Sequence, residues 1–480
     1  MKFNKLSALC ALACVAMSGQ AMAATALSTA DKAIVDDANT NNRVVFISGA
    51  SAVQKGFTGI VAGLFTGTPV RFANTSASSK DFEAVAGKLA VAAGGWPASS
   101  NVIVIYRVKG GSAFGVDPVA RNTLIESLNV TSGASDCTSG NGLVATPYVC
   151  TTTLASRSPD AGVSDVAPAL FHGSYNTEGE VSAPALTPAE LALLTPTPIY
   201  GLAFGVPVTS NVPLVNLNKS VVSAIMTGNI GTWNQVDASL PADDILICRR
   251  VPGSGTQAVN NMYFGNYPCD TGSSFNVPAD RDASAAWDNA SNTYTVGANT
   301  GGLVVIENST SGDVRTCLDK AVTGGTYTTK DRDGVAVTVN ITAGHKAIGV
   351  LSMDGLSSSK TTGNWQFRSL DGAGTYTWDN TAAAPVASGT GKFPTLANYV
   401  DGTWDQQGWV SFNVPARTTG NKAALLANFV TKAQDPAILA SIADLKNVAA
   451  AIPGGAYAGT QVLRAAYLGG NQCAPLNRNY

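Results

Sequence analysis

Ile245-Leu246-Ile247-Cys248-Arg249-Arg250-Val251-Pro252-Gly253-Ser254-Gly255-Thr256 is the stretch whose reading decides the fold. Four apolar residues make a short strand. Two arginines and a Pro-Gly turn follow, and a helix then runs from about Gly255 to Phe264. A strand that turns directly into a helix is half of an α/β unit. The turn is chemically marked as well. Free N–H groups at a helix N-terminus point at whatever sits there, and the macrodipole favours negative charge. Arg250 adds a planar, permanently charged fork suited to a tetrahedral oxyanion. Gly255 lets the backbone approach closely. An ordinary capped helix beside an exposed arginine has the same local signature, so the segment has to be read with its neighbours.

The same pattern recurs along the chain. Arg43-Val44-Val45-Phe46-Ile47 reads as a strand ending in Ser48-Gly49-Ala50-Ser51. Val53, Phe57, Ile60, Val61 and Leu64 then recur at helical spacing, with Ser51 placed to cap. Val102-Ile103-Val104-Ile105-Tyr106 is a second strand, running into Lys109-Gly110-Gly111-Ser112. Ile199 to Val208 and Ala347 to Leu351 read as apolar strands. Val221, Val222, Ile225 and Met226 form a helix face stopped by Gly228, and Leu425, Leu426, Phe429 and Val430 form another, with a helical tail over 436–446. Alternating Val and Thr near 335–341 predict a hairpin within the Asn-, Thr- and Gly-rich stretch 270–345. Residues 131–160 read as an inserted loop, and 357–363 and 382–391 as surface loops. Strands alternating with helices predict an α/β fold.

Composition narrows the function classes. The 480 residues are 45% hydrophobic and 13% charged, with a formal net charge of −2. That balance argues against a nucleic-acid binder, and the hydrophobic fraction argues against disorder. The two histidines, His172 and His345, are too few for a His-rich metal site, so no metal and no cofactor are expected. Met1 to Lys5 is short and positive, Leu6 to Met17 is apolar, and Ala21-Met22-Ala23 is a small-x-small pattern. Together they read as a secretory signal peptide over residues 1–23. Of the eight cysteines, Cys10 and Cys14 fall in that segment, leaving six for disulfides. Proximity in sequence favours Cys137/Cys150 and Cys248/Cys269, with Cys317/Cys473 left as a long-range staple, although six cysteines allow fifteen connectivities.

The run Arg249-Arg250-x-x-Gly253-Ser254-Gly255-Thr256 resembles the phosphate-binding loop of the periplasmic phosphate-binding proteins of ABC transporters. Its flanks are similar too. Leu217-Asn218-Lys219 through Gly228-Asn229-Ile230-Gly231-Thr232-Trp233-Asn234 resembles the family's segment upstream of that loop. Ile47-Ser48-Gly49-Ala50-Ser51 resembles its first anion-binding turn, Tyr106 through Gly111-Ser112 its second, and Val163-Ser164-Asp165 the segment carrying its ligand aspartate. Ala347-Ile348-Gly349-Val350 and Phe367-Arg368-Ser369-Leu370-Asp371-Gly372 follow in order, so the resemblance runs from about 44 to 445 with long gaps.

The resemblance implies a two-lobed type 2 periplasmic-binding-protein fold with a double-crossing hinge and inserted loops. Residues 24–205 plus 350–480 would form one lobe and 206–349 the other. It implies phosphate ligands at Ser51, Ala52 (through its N–H), Ser112, Asp165, Arg250, Ser254, Gly255 and Thr256. An aspartate suits an anion that still carries a proton: it accepts that hydrogen bond and repels sulfate, which has none at neutral pH. One departure stands out. The family often has an aspartate two residues after the arginine, and Pro252 stands there, so another carboxylate must orient Arg250 or the site is weaker.

The function implied is an exported, monomeric receptor that binds inorganic phosphate for uptake by an inner-membrane ABC permease. Its place would be the periplasm, with the extracellular space or cell surface as alternatives. A surface or matrix protein reusing the fold is the alternative reading. A phosphatase is a weaker one, because no nucleophile elbow with partners and no metal cluster is legible, and the chain is therefore read as a non-enzyme.

Overall fold

Val44–Gly49, buried at every position, lies in the middle of an eleven-stranded sheet. A strand buried on both faces needs an apolar run, and Val44 to Ile47 supply it. The computed structural model of the chain describes residues 27–478 except 77–79, 134–135, 178–183, 270–276, 299, 357–362, 380 and 454–458. The expected signal peptide therefore lies outside the described residues, as does most of the expected loop 357–363.

Val44–Gly49 pairs in parallel with Asn101–Arg107 on one side and Ala161–Ser164 on the other. Gln407–Pro415 and then Leu194–Gly205 extend the sheet antiparallel beyond Ala161–Ser164. A second sheet of five strands has the order Val304–Asn308, Ile245–Arg250, Lys346–Gly349, Pro207–Thr209 and Trp365–Phe367, and its first three strands are parallel. Helices Gln54–Ala62, Gly255–Gly265, Ser311–Thr323 and Gly420–Ala433 pack against these sheets. Two sheets, each with its own helices, make an α/β protein of two lobes.

The chain passes from the first sheet to the second at Val206 and back at Val350, both fully buried. Gly205 pairs with Leu351 on one side of the junction and Val208 with Ile348 on the other. The two crossings thus form one antiparallel ribbon, a short hinge. A further excursion departs from expectation. Trp365–Phe367 pairs with Pro207–Thr209, and Ser369–Leu370 pairs with Asn216–Leu217, so part of 350–480 belongs with the second sheet. The apolar Trp365 and Phe367 fill the edge of that sheet, and the strands on either side of 350 gave no hint of the return.

Several local expectations change. The stretch 131–160 is not a loop. Cys137–Ser139 and Tyr148–Cys150 pair with each other and extend the first sheet, while Thr152–Arg157 pairs with Ile125–Leu128. Ala384–Gly389 is one strand of a hairpin with Gly374–Asp379, where a surface loop was expected. The helix after Asp435 ends at Ser441 and does not run to 446. The hairpin near 335–341 forms, between Gly325–Lys330 and Ala336–Ile341.

The disulfides are Cys137–Cys150, Cys248–Cys317 and Cys269–Cys473. Nearness in sequence misled for the last two. Cys248 sits on a central strand of the second sheet, and Ser311–Thr323 packs across that strand, bringing Cys317 onto it. Cys269 follows the helix Gly255–Gly265 of the second lobe. Its partner Cys473 belongs to a tail anchored on the first lobe, where Gln472 Oε1 accepts from Ala167 N (2.7 Å) and Tyr467 donates to the Gln407 carbonyl (2.7 Å).

Candidate functional site

Three turns of the first lobe and two of the second meet at the lobe boundary. The first turn follows Val44–Gly49. A side chain at Gly49 would place its Cβ 1.9 Å from the Val163 carbonyl oxygen, so the turn presses directly on the neighbouring strand. Ser51 then opens a short 3₁₀ turn, Ser51–Val53, and does not cap the helix that follows. Its hydroxyl accepts from Arg250 Nη1 at 3.2 Å, across the lobe boundary. Ala52 is buried beside it, with its carbonyl facing Ser352 Oγ at 3.4 Å.

The second turn carries Gly110 and Gly111, both at positive φ, and ends at Ser112. Gly111 lies against the second lobe: a Cβ there would stand 3.4 Å from Arg250 Nη2, an ordinary contact, so its positive φ is what favours glycine. The third turn places Asp165 just beyond Ala161–Ser164, where its N–H donates to Ser112 Oγ at 3.2 Å.

From the second lobe, Ser254 caps the helix Gly255–Gly265, its hydroxyl oxygen accepting from Gln257 N at 3.4 Å. Thr256 donates to Asp165 Oδ2 at 3.1 Å. A Cβ at Gly255 would come within 2.3 Å of Ser112 Oγ and 2.7 Å of Asp165 Cβ, so only glycine fits with the lobes this close. The structure thus brings Ser51 onto Arg250 and gathers Ser112, Asp165, Gly255 and Thr256, while Ser254 caps the same helix and Ala52 adjoins Ser51 in sequence.

Arg250 is held in a way the sequence reading missed. Its Nε donates to the Asn308 carbonyl (3.1 Å), Nη2 to the Ser309 carbonyl and Nη1 to Ser311 Oγ (3.1 Å). Main-chain carbonyls after a neighbouring strand do the orienting that a carboxylate at the Pro252 position would do. The signal was present. Val304-Val305-Ile306 followed by Thr310-x-x-Asp313 is a strand with a capping box, and Thr310 and Asp313 do cap Ser311–Thr323. It lay inside the Asn-, Thr- and Gly-rich stretch 270–345, where only the hairpin was expected.

Electrostatics sharpen the site. Asp165 is 1% exposed. Burial pushes its carboxyl up to about 7, opposed by the Thr256 hydrogen bond and by Arg250, and assisted by Asp354. Its Oδ1 has no hydrogen-bond partner among the described residues. An unmet buried acceptor costs about 1–3 kcal/mol, and a hydroxyl or acidic proton brought by a ligand would satisfy it. The two histidines stand elsewhere: His172 is exposed and His345 Nε2 contacts Thr342 Oγ1 at 2.9 Å.

Beside Ser51 and Ser311 the boundary opens into a cavity of about 240 Å³. Lys55, Lys80 and Arg315 line it, together with Glu83, Asp354 and Asp444. Burial raises the Asp354 carboxyl to about 6, with Lys55, a Ser352 hydrogen bond and Arg315 pulling it down and Asp444 pushing it up.

No protein-family model matches the chain, and no curated protein does. Solved structures that it resembles include PstS of Borrelia burgdorferi, at 11% identity over 83% of this chain and 96% of that one, with a TM-score of 0.34. A phosphate-binding protein of Stenotrophomonas maltophilia is similar at 13% identity, over 82% and 84% of the two chains, with a TM-score of 0.35. A high-affinity periplasmic phosphate-binding protein solved with phosphate at pH 8.5 is similar at 13% identity, over 84% and 89%, with a TM-score of 0.40. At such values the likeness is one of general outline, and what the site holds is argued from its own groups. No helix among the described residues is long and apolar enough to cross a membrane.

Proposed function

We propose that the chain is an exported solute-binding protein that takes inorganic phosphate between its lobes and presents it to an ABC permease. One observation carries the reading: a fully buried carboxylate oxygen, Asp165 Oδ1, stands unmet in the same closed cluster as the Arg250 guanidinium. A dry site with one cation and one spare acceptor suits an anion that also has a proton to donate. Phosphate at neutral pH is such an anion, and sulfate is not. Ser51, Ser112, Ser254, Thr256 and the N–H groups at Ala52 and Gly255 supply the remaining donors. The hinge at Val206 and Val350 would let the lobes part to admit the ion. Binding without turnover fits a site whose groups are hydroxyls, amides, one arginine and one carboxylate, with neither histidine nearby.

Calorimetric titration of the exported chain tests this. Phosphate should bind at micromolar affinity or tighter and beat sulfate, and Arg250→Ala should abolish binding. No heat with phosphate would remove the reading and favour a surface or matrix role. Release of a chromogenic product from a phosphate ester would favour an enzyme.

A further inference from the structure

A separate cavity of about 500 Å³ lies between the lobes and shares no residue with the anion cluster. From the second lobe, Lys219 lines it at the start of the helix Lys219–Met226, and Met262 and Tyr263 line it from the C-terminal half of Gly255–Gly265. The helix whose N-terminus reaches the anion cluster thus presents its other end here. From the first lobe and its tail come Asp405, Tyr467 and Gln472, beside the Cys269–Cys473 bridge.

The unmet groups on this wall are donors. Gln472 is 5% exposed, and its Oε1 accepts from Ala167 N at 2.7 Å. Its Nε2 is buried with no hydrogen-bond partner among the described residues. A buried donor left so is costly until a ligand supplies an acceptor. Lys219 Nζ stands 3.5 Å from the centroid of the Tyr263 ring and makes no hydrogen bond or ion pair among the described residues. The ring face meets part of its charge and leaves its N–H groups for an acceptor. Burial lowers the Lys219 pKa and Asp405 opposes that, so an anion beside the ammonium would be welcome. Among the described residues, Asp405 is the single carboxylate on the lining, against the cations Lys219 and Arg478. Its Oδ1 is already engaged, accepting from Tyr263 at 2.5 Å.

Two cations against one carboxylate suit a ligand with a single negative charge. A dianion would bring its second charge against Asp405. A sugar would bring a donor with every acceptor, to a wall whose spare groups are donors. A bare inorganic anion would leave most of the space unused, while Met262, Tyr467 and Leu476 offer apolar surface to an organic body. We propose that this cavity is a second binding site, for a small organic monocarboxylate, with the carboxylate on Lys219 and Gln472 Nε2 and the apolar body against Met262, Tyr467 and Leu476. Binding is non-covalent, and the ligand would touch both lobes.

The test is calorimetry on the full exported chain at pH 7 with hexanoate and benzoate, each beside its neutral match, hexanamide and benzamide. At least one carboxylate should bind, about tenfold or more tighter than its amide. Lys219→Met keeps the apolar stem, removes the charge and should weaken that carboxylate about tenfold or more. Gln472→Glu keeps an oxygen for Ala167 N, turns the spare donor into a charged acceptor and should abolish carboxylate binding. A melting temperature and near-UV circular dichroism like those of the parent chain report that a variant is folded. Should a variant not fold, the comparison of acid with amide on the parent chain decides. No heat from either carboxylate, an amide that binds as tightly as its acid, or a folded variant that binds like the parent overturns the inference. No phosphate enters the titration, so such a failure leaves the phosphate reading standing.

Discussion

The two halves of the site differ in what they bring. The first lobe contributes Ser51, Ser112 and Asp165, all on turns that leave parallel strands of the large sheet, and carries hydroxyls and a carboxylate but no cation at the anion position. The second lobe contributes Arg250 together with the N-terminus of the helix Gly255–Gly265, and Ser311 at the start of the next helix. On the proposed reading, attraction for an anion would be concentrated in one lobe and discrimination by proton in the other.

The largest expected effect comes from erasing the attractive half. Arg250→Ala should cost about 2–5 kcal/mol in phosphate affinity, because the buried acceptors around it lose their charge partner. A calorimetric loss of less than tenfold would mean that the lobes share attraction evenly.

The next test inverts the discriminating half. With its carboxyl raised to about 7, Asp165 is protonated at pH 5–6 and can donate to an anion that has no proton. Sulfate affinity should therefore rise as pH falls through 7, by up to about tenfold per unit, while phosphate affinity changes less. Asp165→Asn, a donor at every pH, should hold sulfate with little pH dependence. The same shift acts on stability. A carboxyl raised from its ordinary value is more protonated in the folded chain, so the ligand-free protein should lose stability as pH rises from about 4 to 7. Asp354, raised to about 6, adds to that slope. Thermal melts that rise across this range would contradict it.

Two smaller changes probe the seam. Gly255→Ala puts a methyl into Ser112 and Asp165 and should hold the lobes apart, weakening phosphate by about tenfold and enlarging the radius of gyration seen by X-ray scattering. Ser311→Ala removes one of the two acceptors of Arg250 Nη1, leaving Ser51, and should cost about 1 kcal/mol, roughly fivefold.

What could be read in advance follows the same division. Ser51, Ser112, Asp165, Ser254 and Thr256 sit where a strand hands over to a turn, and that handover is written in a few adjacent residues. The helix Gly255–Gly265 and the strand Ile245–Arg250 were legible for the same reason. Ser311 and the carbonyls of Asn308 and Ser309 were not, because a strand and capped helix were set among Asn, Thr and Gly residues that suggest loop. Ser51 was expected to cap the next helix and instead opens the 3₁₀ turn before it, its hydroxyl accepting from Arg250 across the boundary rather than from a helix N–H. The partners of Cys248 and Cys269 depend on which helix crosses which strand, and chain spacing does not encode that. The return of Trp365–Phe367 to the second sheet was hidden likewise, since a short alternating strand does not name the edge it will join.

The Cys269–Cys473 bridge closes a ring of chain 204 residues around, from the second lobe to the tail of the first. A protease that cuts anywhere inside that ring, for instance beside the exposed Val386, releases nothing. The two pieces remain one molecule until a thiol opens the bridge, migrating as a single band without reductant and as two with it. If the chain is exported, as proposed, to where peptidases are common and thiols scarce, it would thereby stay whole after a nick that would sever an unbridged chain.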